Sequence, residues 1–85
     1  MIVSGFVEVI NESEVERIVE SLRELRLEVH GIKDEKIVYL IEREDPKEIE
    51  RTLEMLKTIE GVKNVYLCYF TIEDEPKDDQ VLLNM

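Results

Sequence analysis

Residues 14–26, EVERIVESLRELR, recur in pattern at residues 48–60, EIERTLEMLKTIE, an offset of 34 residues. Each segment sets apolar residues at helical spacing, Val15, Ile18, Val19, Leu22 and Leu25 in the first and Ile49, Leu53, Leu56 and Ile59 in the second. Each therefore reads as an amphipathic helix with one buried stripe. The start signals agree. Asn11 and Ser13 are good N-caps, followed three positions on by Glu14 and Glu16, and Asp45 precedes Pro46 with Glu48 in third place. Gly61 supplies the stop for the second helix. At the same offset VSGFVEV, residues 3–9, aligns with IVYLIER, residues 37–43. The bland alternative is that two amphipathic helices of similar length share a pattern by chance.

Outward from the helices, residues 2–10 are rich in Val, Ile and Phe and read as a first strand, in which Gly5 weakens the strand or marks a close approach. Residues 27–32 and 36–42 form two strands joined by a turn at residues 33–35, and a last strand runs from residue 62 to about 72. Two interleaved βαβ units with right-handed crossovers give an α+β, ferredoxin-like βαββαβ sandwich: a four-stranded antiparallel sheet in the order 4-1-3-2 with both helices on one face. The domain spans residues 1–72. Residues 73–85 begin acidic, include Pro76, and read as a solvated tail whose apolar residues 81–83 either dock or dangle.

Both helices on one face leave the other face of the sheet open. Strand alternation assigns Val7, Val9, Leu27, Val29, Ile37, Tyr39, Ile41, Val65, Leu67 and Tyr69 to the helix side. The open side then carries Ser4, Phe6, Glu8, Glu28, His30, Val38, Leu40, Tyr66, Cys68 and Phe70, with Glu42 on the rim. A slip or bulge of one residue would invert a strand. On this parity Phe6, Leu40, Tyr66 and Phe70 form an apolar patch ringed by carboxylates, and such a patch marks a contact site.

The chain of 85 residues carries a formal net charge of −10, with 38% charged and 44% hydrophobic residues. It is long enough for one modest core. The negative field repels nucleic-acid backbones and anionic membranes and steers in a cationic partner. No stretch has the length of a membrane span and the N-terminus has no signal-peptide pattern, so the expected location is the cytoplasm. Cys68 is the one cysteine and His30 the one histidine. They sit on the two edge strands, too far apart for a dyad. The carboxylates of the helices stand at spacings that pair with Arg17, Arg23, Arg51 and Lys57, and residues 78–80, DDQ, lack the spacing of a calcium loop. The three glycines are scattered, with no phosphate loop, and no CxxC is present. The expectation is a binding domain with no catalytic residues, metal or cofactor.

The residues VSGFVEV at 3–9, EVHGIKDEKIVYLIEREDPKEIERTLEMLKTI at 28–59 and EGVKNVYLCYFTIEDE at 60–75 resemble the NapD family over nearly the whole chain. The most specific part is residues 61–69, where a helix-ending glycine leads into a Val-rich last strand with a tyrosine near its end. The chain departs from the family where Phe70 follows Tyr69 in place of a histidine, and where LRELRLEV replaces a Pro-Gly turn after the first helix. The resemblance implies a cytoplasmic chaperone that binds the twin-arginine signal peptide of a periplasmic nitrate reductase precursor, a molybdoenzyme. It would delay export until the cofactor is inserted. The peptide's apolar side would lie on Phe6, Leu40, Tyr66 and Phe70 while Glu8, Glu28 and Glu42 meet its arginines.

Three other readings compete. A self-associating domain, monomer or weak homodimer, would hide the same patch against a copy of itself. A small-effector module of the ACT type expects a glycine in the loop after the first strand, where residues 10–13 have none. An acylphosphatase-like enzyme needs an arginine cradle near that loop, and none is there.

Overall fold

The computed structural model describes residues 1–71, with the backbone alone described at 69–71. Expectations for the tail at 73–85 and for residues 81–83 lie outside the described residues. Strand β1 spans Ile2–Val9, helix α1 Val15–Glu24 after a single 3₁₀ turn at Glu12–Glu14, β2 Glu28–Lys33, β3 Lys36–Glu42, α2 Pro46–Thr58 and β4 Val62–Thr71. The sheet order is β2-β3-β1-β4 with every neighbouring pair antiparallel, which is the expected 4-1-3-2 order read from the other edge.

Local chemistry explains the element ends. The Asn11 side chain accepts from the Ser13 backbone N–H at 3.1 Å and opens the 3₁₀ turn, so of the two candidate caps Asn11 is the one used. Asp45 accepts from the Lys47 N–H at 2.9 Å, and Pro46 stands at the first helical position of α2. Gly61 turns the chain into β4 at φ 99°, where an added Cβ would come within 2.8 Å of the Arg17 guanidinium. Arg17 in turn donates to the Glu60 carbonyl at 2.7 Å and ties α1 to the turn between α2 and β4.

The core lies between helices and sheet. It comprises Val3, Val7 and Val9 of β1, Ile37, Tyr39 and Ile41 of β3, Leu27, and the helical residues Val15, Ile18, Val19, Leu22, Ile49 and Leu56. The stripes expected from helical periodicity are the ones buried, with Leu25, Leu53 and Ile59 partly covered at the margins. Arg43 donates to the Leu25 carbonyl at 2.7 Å and so closes the C-terminal end of α1 onto the end of β3.

Tyr39 is fully buried, and its ring side chain reaches across β1 at Gly5 to donate from its hydroxyl to the Tyr66 carbonyl of β4 at 2.9 Å. Three strands are thus tied by one side chain. Gly5 is the close approach that its sequence position suggested. Burial, and secondarily the neighbouring Cys68 thiol, push the Tyr39 phenol up from 10.0 to about 12. The neutral form is the one the fold favours, so Tyr39 stabilises the native state fully below pH 10. That contribution is lost as pH rises toward about 12, because the unfolded chain ionises first. Ultraviolet titration should therefore show a tyrosine that ionises late, and Tyr39→Phe should remove that step. The same variant leaves the Tyr66 carbonyl short of a donor, at a stability cost of about 1–2 kcal/mol.

Candidate functional site: the open face of the sheet

Register decides which side chains share the face away from the helices. Phe6 is opposite Val38 on one side and Tyr66 on the other, Ser4 is opposite Leu40, and Glu8 is opposite Lys36 and Asn64. Phe6 and Tyr66 stack with ring centroids 4.6 Å apart and planes 26° from parallel, a packing favourable beyond the area it covers. Lys36 Nζ stands 5.9 Å from the Phe6 centroid. Val38 and Tyr66 are each 42% exposed while Phe6 and Leu40 are half-buried. The centre of the face is thus apolar, ordered by a stacked aromatic pair and open to solvent.

Of the residues expected there, Ser4, Phe6, Glu8, Glu28, Val38, Leu40, Glu42 and Tyr66 share the face by register. Two bulges alter the rest. In β2 the register shifts between Val29 and Gly31, so His30 is the inserted residue; its Nε2 lies 3.0 Å from Glu28 Oε1 and both side chains are exposed. In β4 Gly5 pairs with Leu67 but Ser4 pairs with Tyr69, which makes Cys68 the inserted, exposed residue.

The second bulge corrects the expected parity. Beyond Cys68 the position of Phe70 is in register with Val3, and that of Tyr69 with Ser4, the reverse of simple alternation. The expectation for the Phe70 side chain lies outside the described residues. Leu67, expected in the core, is 54% exposed, because β4 is an edge strand; among its described side chains Val62 and Val65 are the ones packed against the core. His30 and Cys68 stand on opposite edge strands, three strand spacings or roughly 14 Å apart, and form no pair.

Parity alone would also have placed Ile2, Lys36 and Asn64 on this face, and sequence reading passed over them. Asn64 donates from Nδ2 to Glu8 Oε1 at 3.0 Å, and that bond, aided by Lys63 and Lys36, holds the Glu8 carboxyl below its ordinary 4.5. Glu8 is already engaged within the sheet. Glu42, opposite Ile2, has no side-chain hydrogen bond among the described residues. Among the same residues no group of three or more His, Cys, Asp or Glu side chains is gathered as for a metal, and no helix is long and apolar enough to cross a membrane.

Four antiparallel strands backed by two helices, with one apolar sheet face uncovered by either helix, define a ferredoxin-like α+β domain. The chain belongs to the NapD family, whose model, described as NapD protein, matches residues 1–74. Among solved structures it is similar to the solution structure of the E. coli Tat proofreading chaperone protein NapD, at a TM-score of 0.63 and 25% identity, over 88% of this chain and 81% of that one. A search of curated proteins finds no match.

Proposed function

We propose that this chain is a cytoplasmic proofreading chaperone that acts by binding and release, without catalysis. Its ligand is the twin-arginine signal peptide of a periplasmic nitrate reductase precursor, held back from export until the molybdenum cofactor is inserted. The observation that carries the reading is an apolar sheet face, Phe6, Val38, Leu40 and Tyr66, open to solvent in a member of the NapD family. A signal peptide that becomes helical would lay its apolar side on this face, while exposed carboxylates of a chain with net charge −10 meet its arginines.

Chemical-shift mapping with a synthetic twin-arginine signal peptide tests the location. The largest amide shifts are expected along β1 and β3 around Phe6 and Leu40, with the solvent side of the helices, at Glu16 and Arg51, unmoved. Shifts confined to the helices would contradict the assignment.

A further inference from the structure

The open face is electrostatically lopsided along its strands. At one end Lys33 pairs in register with Lys36, and Lys36 with Glu8. The turn residues Asp34 and Glu35 offset the lysines, and Glu8 is bonded to Asn64. That end is balanced. At the other end Glu28 stands opposite Leu40 and Glu42 opposite Ile2, so that among the described strand residues neither carboxylate has a Lys or Arg as its register partner; His30 is bonded to Glu28. Arg43, the nearest arginine in sequence, is turned to the helix side, where it holds the Leu25 carbonyl.

Two distances make this asymmetry usable. Glu28 and Glu42 are diagonal cross-strand neighbours, roughly 7–8 Å apart at Cα, so two consecutive arginines with long side chains reach both. From Glu42 to Lys36 is six residues of strand, roughly 20 Å, which a helix of about 13 residues spans.

We propose that the face has a direction: a peptide docks with its arginine pair at Glu28 and Glu42 and its apolar run over Leu40, Phe6 and Tyr66 toward Lys36. Because the arginines precede the apolar run, the peptide lies parallel to β1. This rests on the reading of the face as a signal-peptide site, and it adds which carboxylates select the cargo. Glu8, although expected on the rim, is not one of them.

The test uses the same synthetic peptide carrying a nitroxide label at one end or the other, with amide peak intensities recorded on the full chain. A label beside the arginines should erase the peaks of Ile2, Ser4 and Glu42; a label at the far end should erase those of Glu8, Lys36 and Asn64. In parallel, Glu42→Lys should weaken binding about tenfold, the loss of one charge-assisted contact, and Glu8→Lys by less than twofold. A reversed pattern, or equal broadening at both ends, overturns the direction and leaves the peptide-binding reading standing. Absence of binding by the wild-type chain overturns both.

Discussion

Phe6→Asp should leave the fold intact and lower affinity for a twin-arginine peptide about a hundredfold or more. Phe6 lies on the open face, half-buried, stacked on Tyr66 and clear of the core. Losing the stacked pair removes about 0.5–1.5 kcal/mol of stability, less than a domain of this size needs to unfold. The binding cost is larger. Burying an aromatic side chain against a partner is worth about 1.5–3 kcal/mol, and an aspartate left under an apolar peptide adds a desolvation penalty. The sign is informative, since an added carboxylate would by charge alone attract a cationic peptide. Reduced affinity with unchanged circular dichroism therefore reports lost apolar contact, whereas loss of the helical signal would put Phe6 in the core and contradict the assigned face.

Gly5→Ala should act the other way, on stability first. A Cβ at residue 5 would fall 1.9 Å from the Tyr66 carbonyl oxygen and 2.8 Å from the Tyr39 hydroxyl. The nearer atom is backbone, so no side-chain rotation relieves the clash; β4 must move away from β1 or Tyr39 must leave its place. Overpacking of this kind costs up to about 3 kcal/mol, and more where the backbone has to shift. For a domain of this length, 3 kcal/mol lowers Tm by roughly 12–24 °C. Thermal unfolding followed by circular dichroism measures it. A shift of only a few degrees would mean that β4 is not held against Gly5 as described.

These two residues illustrate how legibility varied along the chain. Clean alternation in β1 and β3, both in the middle of the sheet, placed Phe6, Val38 and Leu40 correctly, because a one-residue slip there would bury Glu8 and expose Val7. The helical stripes and the Asp45–Pro46 start were equally plain. Edge strands β2 and β4 were harder. In β2 the register shifts at His30, and in β4 at Cys68 and again at Lys63, and none of these residue types announces an insertion. The bulge at Cys68 reverses the backbone register of positions 69 and 70, which alternation had assigned the other way. The carbonyl of Tyr66, two residues before that bulge, is taken up by Tyr39, a tertiary hydrogen bond that no local pattern encodes. Among the carboxylates, sequence could count Glu8, Glu28 and Glu42 but not tell that Asn64 occupies the first. Their separation into an engaged and an available set follows from register.

The most direct test of peptide binding is isothermal titration of the chain with a synthetic twin-arginine signal peptide and with a version in which both arginines are lysine. A guanidinium can meet a carboxylate with two parallel hydrogen bonds and an ammonium cannot, and exposed charge pairs weaken as salt screens them. The account predicts saturable binding to the arginine peptide that weakens with the lysine peptide and with added salt. No heat with either peptide would contradict it and turn attention to a second copy of the chain as the occupant of the face.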